Sequence, residues 1–237
     1  MTPGPCPAAA SGPSPGALGA AGAAGAGQGT VGAMSTAEDD GIRILREDDP
    51  EHARLLAEGW EVVAESWGAR LHLGDDADLS PFLEAVAAAQ DAGYEVLRLG
   101  PADAPAITAL QERVLPDYPV TPATVPAPLP EDLAELLESE EWLAFGARSA
   151  EGGLVALTTL TPLPDRWEVD RTAVAPEHRR RGLAKAVKAL SVLTTYATGA
   201  RTWGTGGAAV NASSLAMNRA LGFELEPLWH SLRRPGA

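Results

Sequence analysis

The sequence predicts an α/β (α+β) domain with one mixed, mostly antiparallel sheet flanked by helices, and three observations support this. Strand-like segments follow one another at residues 142–148, 154–160 and 167–174, with Glu151-Gly152-Gly153 as a hairpin turn between the first two. Strand and helix patterns then alternate through the last third of the chain. The chain has 237 residues, 45% hydrophobic and 21% charged, so it can bury one full core.

Residues 1–40 are mostly Ala, Gly, Pro and Ser. Ordering them would cost backbone entropy that burial could not offset, so we expect a disordered leader. Met34 offers a second possible translation start. The only cysteine, Cys6, lies in this leader, which excludes an intramolecular disulfide and favours a cytoplasmic location.

Residues 41–73 are expected to form a strand near Ile42, a helix opened by Asp49-Pro50, and two strands between residues 60 and 73 that break near Ser66. Charges or prolines interrupt the apolar stretches here and elsewhere, which argues against a membrane span.

Between residues 80 and 137 the pattern predicts three helices and one strand. Ser80 is the expected N-cap of the first helix and Gly93 its stop. A strand over 94–99 and a helix over 101–115 follow. The proline-rich connection at 116–130 is long enough to be a functional loop, and it leads into a short helix near Leu133.

Two short segments of the chain resemble each other. Residues 57–62 and 220–225 each follow a predicted helix and share Ala, Gly, an aromatic residue, Glu and an aliphatic residue in the same order, with a tryptophan downstream. The match is either chance or a sign that residues 41–78 are the remnant of a truncated first copy. Residues 79–237 would then be one complete domain.

Charge is distributed unevenly along the chain. Residues 1–170 have a balance of -21 and residues 171–237 a balance of +7, within a net charge of -14. The last third is therefore a candidate binding region for an anionic ligand. Acidic residues that keep a surface soluble explain much of the negative charge of residues 1–170.

The most informative stretch leaves a strand at Thr172, turns at Pro176 and enters a helix after Arg179-Arg180-Arg181-Gly182. Such a junction directs unpaired main-chain N–H groups, the positive end of a helix dipole and three guanidinium groups to one place, which suits a pyrophosphate. The alternative is a basic helix start that is merely solvated.

This stretch resembles the acetyl-CoA signature of the GNAT superfamily of N-acetyltransferases. The signature is Gln or Arg, two residues, Gly, one residue, and Gly or Ala, and Arg179 to Ala184 fits it. The family's second cofactor motif resembles Asn211 followed by a helix and Leu221-Gly222-Phe223. The resemblance covers residues 94–234, and residues 41–73 look like the tail of a truncated copy, as in tandem members of the family.

The resemblance implies a GNAT fold and assigns the cofactor site. The backbone of Thr172, Ala173 and Val174 would pair with the pantetheine arm of acetyl-CoA like an added strand. The loop formed by Arg179, Arg180, Arg181, Gly182, Leu183 and Ala184 would hold the pyrophosphate. Asn211 would form a hydrogen bond with the pantetheine amide or the thioester region. Its alternative role is that of a helix N-cap. His178 is either a phosphate contact or a solvated loop residue.

An amine acceptor needs a base, because at pH 7 only about one alkyl amine in a few thousand is neutral. In a strand over 167–174, Glu168, Asp170 and Thr172 share one face. Glu168 sits where histone-acetylating family members keep their catalytic glutamate, which makes it the expected general base, directly or through water, with Asp170 as the reserve. The alternative is an edge carboxylate paired with Arg166 or Arg171.

One position departs from the family pattern. Many members have a tyrosine seven residues after the motif's Asn as general acid toward the thiolate, and here that residue is Asn218, a cofactor-site candidate that cannot supply a titrating proton. Tyr196 has the spacing of a core residue. The departure favours a rival reading, in which the domain binds CoA or acyl-CoA as a non-catalytic sensor.

The resemblance predicts an N-acetyltransferase that moves acetyl from acetyl-CoA to a small-molecule or peptidyl primary amine by direct attack in a ternary complex. The acidic first part hints at a cationic acceptor. The scattered histidines argue against a metal, and the acidity argues against nucleic acid and gives no reason to expect a membrane partner. A monomer or homodimer is expected, and a third reading makes the truncated copy a dimerisation element.

Overall fold

The structure is a computed structural model, and it describes residues 41–124 and 127–236. The predicted leader at 1–40 lies outside the described residues. The strands are β1 (Ile42–Arg46), β2 (Glu61–His72), β3 (Glu95–Leu99), β4 (Leu143–Arg148), β5 (Leu154–Leu163), β6 (Arg166–Val174), β7 (Thr202–Ala208), β8 (Glu224–Leu225) and β9 (Trp229–Arg233). The helices are α1 (Pro50–Ala57), α2 (Ser80–Asp91), α3 (Ala104–Val114), α4 (Leu133–Glu138), α5 (Leu183–Ala197) and α6 (Ala212–Ala220).

The strands form one sheet in the order β1-β9-β2-β7-β6-β5-β4-β3, with β8 paired to β2. The β6–β7 pair is parallel, and the other pairs are antiparallel. The predicted mixed, mostly antiparallel sheet flanked by helices is confirmed.

The predicted break near Ser66 is wrong. β2 is a single strand of 12 residues, and Ser66 lies opposite Ala208 on one side and Trp229 on the other. The strand continues because both of its edges are paired there. The only irregularity in its pairing is a register shift between Val62 and Ala64.

The predicted N-cap at Ser80 is also wrong. The N-cap of α2 is Leu79, which makes no side-chain capping bond. Asp78 instead accepts the N–H of Ser80 at 2.9 Å, so the carboxylate satisfies a different donor at the start of the helix.

The N-terminal segment belongs to the same sheet as the rest of the chain. β2 lies between β7 and β9, and its side chains Trp67, Ala69 and Leu71 are buried. The two similar segments also have similar local structure, since α1 and α6 are each followed by a glycine with positive φ, Gly59 at +85° and Gly222 at +87°. An origin of residues 41–78 in a truncated copy remains a prediction.

The core lies on both sides of the sheet's centre. α5 packs across β3 to β6 and against α2, while α3 packs on β5 and β6. Trp67 and Trp203 are fully buried on the neighbouring strands β2 and β7. Each indole N–H has an acceptor, Ala208 O at 3.2 Å and Thr195 Oγ1 at 2.8 Å, so the two rings are buried without loss of a hydrogen bond.

None of the helices in the described part of the chain is long and apolar enough to cross a membrane.

Candidate active site

Strands β6 and β7 separate after the third residue of β6. They pair only at Trp167↔Trp203 and Glu168↔Gly204, whereas β6 stays paired with β5 up to Val174. A wedge therefore opens between β6 and β7 beyond Glu168, toward the loop that leads into α5.

The main chain of β6 presents groups without a partner strand to this wedge. The N–H of Ala175 donates to Val155 O on the β5 side. Because successive residues alternate between the two edges of a strand, the N–H and C=O of Thr172 and Val174 face the wedge. We call these groups the free edge. An extended ligand that carries amides can pair with it like an added strand.

The loop after β6 has the backbone of an anion site. Arg180 has φ +64° and Gly182 has φ +78°, and α5 starts at Leu183 with 15 residues. A Cβ on Gly182 would have no atom within 4 Å, so the left-handed conformation, and not crowding, is what favours glycine here. The free N–H groups of the first turn of α5 point out of the helix at this loop.

The free edge and the loop border one cavity of about 450 Å³. A smaller cavity of about 210 Å³ adjoins it and is lined by Tyr118 and Thr172, among others. The predicted residues that line the larger cavity are Thr172 and Val174 from β6, Arg179, Arg180, Gly182, Leu183 and Ala184 from the loop and α5, and Asn211 from the start of α6. Ala173 lines the smaller cavity and is otherwise buried in the core.

The three arginines of the loop have different partners. Arg179 pairs with Asp117 at 2.6 Å and donates from Nε to Val174 O at 3.1 Å. Arg181 turns away from the cavity and donates to the Tyr94 hydroxyl at 3.0 Å. Arg180 is exposed and has no ion pair within the described residues. Arg180 is therefore the guanidinium most available to an anion.

His178 is not simply a solvated loop residue. Its Nδ1 lies 3.0 Å from the Tyr94 hydroxyl, and the two rings meet edge to face. The residue also borders the larger cavity, and its contact with Tyr94 ties the loop to the start of the edge strand β3.

Glu168 is buried at the point where β6 and β7 separate. Its side chain is 3% exposed and accepts from Arg166 Nε at 2.8 Å, and Arg70 Nη1 lies 3.6 Å away. Burial raises the pKa of this carboxyl above its usual value, and the hydrogen bond from Arg166 opposes the shift. The predicted pairing with Arg166 is present, while Arg171 pairs elsewhere.

Gly204 makes the Glu168 site possible. A Cβ at this position would overlap the Glu168 carboxylate and the Arg70 guanidinium. Arg70 also reaches Glu226 at 3.4 Å, so the carboxylate belongs to a charged chain that crosses from β6 to the segment before β9. The glycine gives two strands room to bury a charge between them.

Asp170 has a separate partner. Its side chain is 4% exposed and accepts from Arg171 Nε at 2.5 Å, with Thr159 Oγ1 at 3.4 Å. A register shift between Thr159 and Leu160 interrupts the β5–β6 pairing next to it. The two candidate carboxylates, Glu168 and Asp170, therefore lie in different ion pairs.

Asn211 is the N-cap of α6. Its Oδ1 accepts the N–H of Ser214 at 3.1 Å and the Ser213 hydroxyl at 2.9 Å. The residue also lines both cavities, so the capping role and a ligand contact are compatible.

Asn218 faces the interior and not the cavity. It is 1% exposed, accepts from Lys188 Nζ at 2.6 Å, and donates to Ser214 O at 2.9 Å. Lys188 also donates to Thr205 Oγ1 at 3.0 Å, and burial lowers its pKa to about 7. The structure thus places Asn218 as an anchor for a buried lysine, beside and not inside the larger cavity.

Sequence reasoning missed the roles of Arg70, Lys188 and Tyr118. Arg70 lies in the segment that was interpreted as a remnant of a truncated copy. Gly204 was the available signal for its role, because a glycine within a strand indicates that other groups approach the main chain closely. Lys188 gave no signal, since its place on α5 reads as a solvated charge. Tyr118 lies in the proline-rich connection, for which no element was predicted.

No group of three or more His, Cys, Asp or Glu side chains that could hold a metal occurs in the described ranges.

Comparison with known proteins agrees with this geometry. The model of the acetyltransferase (GNAT) family matches residues 107–223. No curated protein matches the chain. Among solved structures, a GCN5-related N-acetyltransferase from Sphaerobacter thermophilus superposes with a TM-score of 0.62 at 16% identity, covering 81% of this chain and 58% of that one. The chain thus spans less than two thirds of that relative's length.

Two further structures show the same fold. A GCN5-related N-acetyltransferase from Kribbella flavida has a TM-score of 0.53 at 20% identity, covering 83% of this chain and 68% of that one. A tandem GNAT protein from the clavulanic acid biosynthesis pathway has a TM-score of 0.52 at 20% identity, covering 81% and 63%. The solved structures thus share the fold, and the family match identifies residues 107–223 as an acetyltransferase (GNAT) domain.

Proposed function

We propose that the protein transfers an acetyl group from acetyl-CoA to a primary amine, by direct attack of the amine in a ternary complex. The observation that carries the proposal is the single cavity that joins the free edge of β6 to the Arg179–Ala184 loop. One part offers main-chain groups to an amide-containing arm, and the other offers N–H groups and a free guanidinium to a pyrophosphate. We also propose a cytoplasmic location.

The fit to acetyl-CoA rests on the order of these parts. The loop lies at the open end of the wedge, and the free edge leads from it toward the closed end at Glu168 and Gly204. A ligand with its pyrophosphate at the loop would bring its acyl end to Thr172. The Thr172 N–H is then a fixed donor for the thioester carbonyl, where charge develops as the amine attacks.

Glu168 is the proposed base, and water is its proposed link to the amine. Its carboxylate is buried and borders neither of the two cavities, so direct contact with an acceptor is not supported. Burial raises its pKa, which makes the carboxylate more basic, while Arg166 and Arg70 hold it in place. Asp170 is the second candidate for the base, because its carboxylate already forms an ion pair with Arg171.

The acceptor is proposed to be cationic, such as a polyamine, an aminoglycoside or a lysine side chain. The support is the acidic balance of residues 1–170. Attraction between exposed charges weakens as salt is added. The KM for the acceptor should therefore rise with ionic strength. The KM for acetyl-CoA has its own salt dependence, which is set by the basic loop. An acceptor KM that does not change with salt would remove this part of the proposal.

The first experiment is calorimetric titration of acetyl-CoA into the wild type and Gly182→Asp. The aspartate puts a negative charge where the pyrophosphate should lie, so we expect micromolar binding to be lost. Gly152→Asp is the matched control, because Gly152 also has positive φ, +84°, and open space around it, but lies in the β4–β5 turn. Equal loss in both variants, or no binding by folded wild type, would contradict the cofactor site.

The second experiment screens primary amines by release of free thiol, with Glu168→Gln beside the wild type. A base role predicts at least about a 100-fold lower rate with binding of acetyl-CoA retained. The rival, a non-catalytic acyl-CoA sensor, is favoured by the burial of Asn218 behind Lys188. Tight binding without turnover across polyamines, aminoglycosides and lysine peptides would support the sensor.

A further inference from the structure

Tyr118 contacts the free edge from the connection that follows α3. It follows a 3₁₀ turn at Leu115–Asp117 and is half-buried against the core. Its hydroxyl donates to the main-chain oxygen of Thr172 at 3.3 Å. Both residues line the smaller cavity, which adjoins the loop cavity at Thr172.

The position of Thr172 fixes what Tyr118 can touch. A ligand arm that starts at the loop and follows the free edge passes Val174 first and Thr172 second. It cannot continue past Glu168, because β6 and β7 are paired there. The reacting end of the arm therefore lies on the stretch between Val174 and Glu168 that contains Thr172, near the hydroxyl that now bonds the Thr172 carbonyl.

A proton donor is needed at this place. When the amine displaces the thiol, the sulfur leaves as a thiolate and has to be protonated or hydrogen-bonded. Asn218 cannot supply a proton and is turned toward Lys188. The chain has three tyrosines. Tyr94 is bonded to His178 and Arg181, and Tyr196 donates to Gly74 O and Asp75 O beyond the opposite end of α5, which leaves Tyr118.

We infer that Tyr118 is the proton donor to the departing CoA thiolate, which rests on the proposed function. The amine nitrogen forms a bond to the acyl carbon, the carbon–sulfur bond breaks with its electron pair going to sulfur, and the phenolic proton of Tyr118 passes to that sulfur. The proton lost by the nitrogen goes to water held by Glu168, and the tyrosinate regains a proton from solvent.

The surroundings of Tyr118 keep its hydroxyl protonated. Burial raises the pKa of the Tyr118 phenol above its usual value, and the nearby Arg171 guanidinium partly opposes the shift. The phenol is therefore neutral at physiological pH, so the hydroxyl proton is present when the thiolate forms. The hydroxyl only has to turn from the Thr172 oxygen to the sulfur.

The test uses CoA itself and needs no acceptor. The thiol of bound CoA is titrated by the ultraviolet absorbance of its thiolate, with each protein alone as the blank, in wild type, Tyr118→Phe and the matched control Tyr196→Phe. A hydrogen bond from Tyr118 stabilises the thiolate, so the pKa of the bound thiol should be about one unit higher in Tyr118→Phe than in the other two, a tenfold difference in proton affinity.

Turnover gives a second readout with acetyl-CoA and the best amine from the screen. Tyr118→Phe should lower kcat at least about 100-fold while the KM for acetyl-CoA changes less than about threefold, which a purely packing role would not produce. Equal thiol pKa values and equal kcat in wild type and Tyr118→Phe would overturn the inference alone. A folded wild type that binds neither CoA nor acetyl-CoA would overturn the proposed function as well.

Discussion

Replacing Lys188 with Met should change how stability depends on pH. Lys188 is 1% exposed, and burial lowers its pKa from 10.5 to about 7, with the charge of Glu168 opposing the shift. Between pH 7 and 10 the unfolded chain keeps the proton on this lysine while the folded protein loses it. Because the unfolded state then binds more protons, the stability of the wild type rises with pH in this window.

The size of the effect follows from the two pKa values. Each pH unit with a full difference of one proton is worth about 1.4 kcal/mol, and at pH 7 the folded lysine is about half protonated. From pH 7 to pH 9 the wild type should therefore gain about 2 kcal/mol relative to Lys188→Met. The absolute difference at pH 7 is less informative, because the variant also leaves Asn218 and Thr205 without their donor.

The assay is urea denaturation of both proteins at pH 7, 8 and 9, with Lys185→Met as the control. Lys185 lies one turn earlier on α5 and borders the open cleft, so its replacement should shift stability by the same amount at every pH. A difference between wild type and Lys188→Met that is constant from pH 7 to pH 9 would refute the reasoning, because it would mean that the lysine titrates alike in both states.

Three further outcomes follow from the fold. A chain that starts at Asp78 lacks the paired strand β2 and its buried side chains, so it should show no cooperative unfolding transition; a folded monomer by circular dichroism and sedimentation would contradict this. Asn211→Ala removes the N-cap of α6 and should cost about 1 kcal/mol in urea denaturation, and an unchanged midpoint would count against the cap. Gly204→Ala forces the Glu168 carboxylate to move, so it should destabilise the protein by about 1–3 kcal/mol and lower kcat, whereas wild-type rates would show that the carboxylate position does not matter.

The sequence carried enough information to predict the sheet and the loop before α5. The loop could be predicted because Arg179 to Ala184 is a local motif whose neighbours, a strand and an amphipathic helix, are also local. β2 was split in two because a serine in a strand usually marks exposure, and Ser66 is buried only through pairing with strands far along the chain.

The residues proposed for catalysis were less predictable, because their contacts are not local. Glu168 could be placed by its distance from the loop, but its partner Arg70 comes from the other end of the chain, and local patterns do not encode such pairings. Asn218 was assigned to the cofactor by family position, and the structure turns it toward a buried lysine instead. Tyr118 could not be found at all, because a proline-rich connection has no periodicity from which to predict where a side chain points.

The pairing of β1 and β2 with β9 has a consequence for synthesis. Ile42 lies opposite Arg233, so β1 pairs with a strand far along the chain, and β2 needs β7 and β9 on its two edges. A nascent chain on the ribosome must therefore hold Trp67 and Leu71 without their partners until β7 and β9 have emerged. Contacts of such long sequence separation are slow to form, so this part of the sheet should fold late and should be the first to need a chaperone.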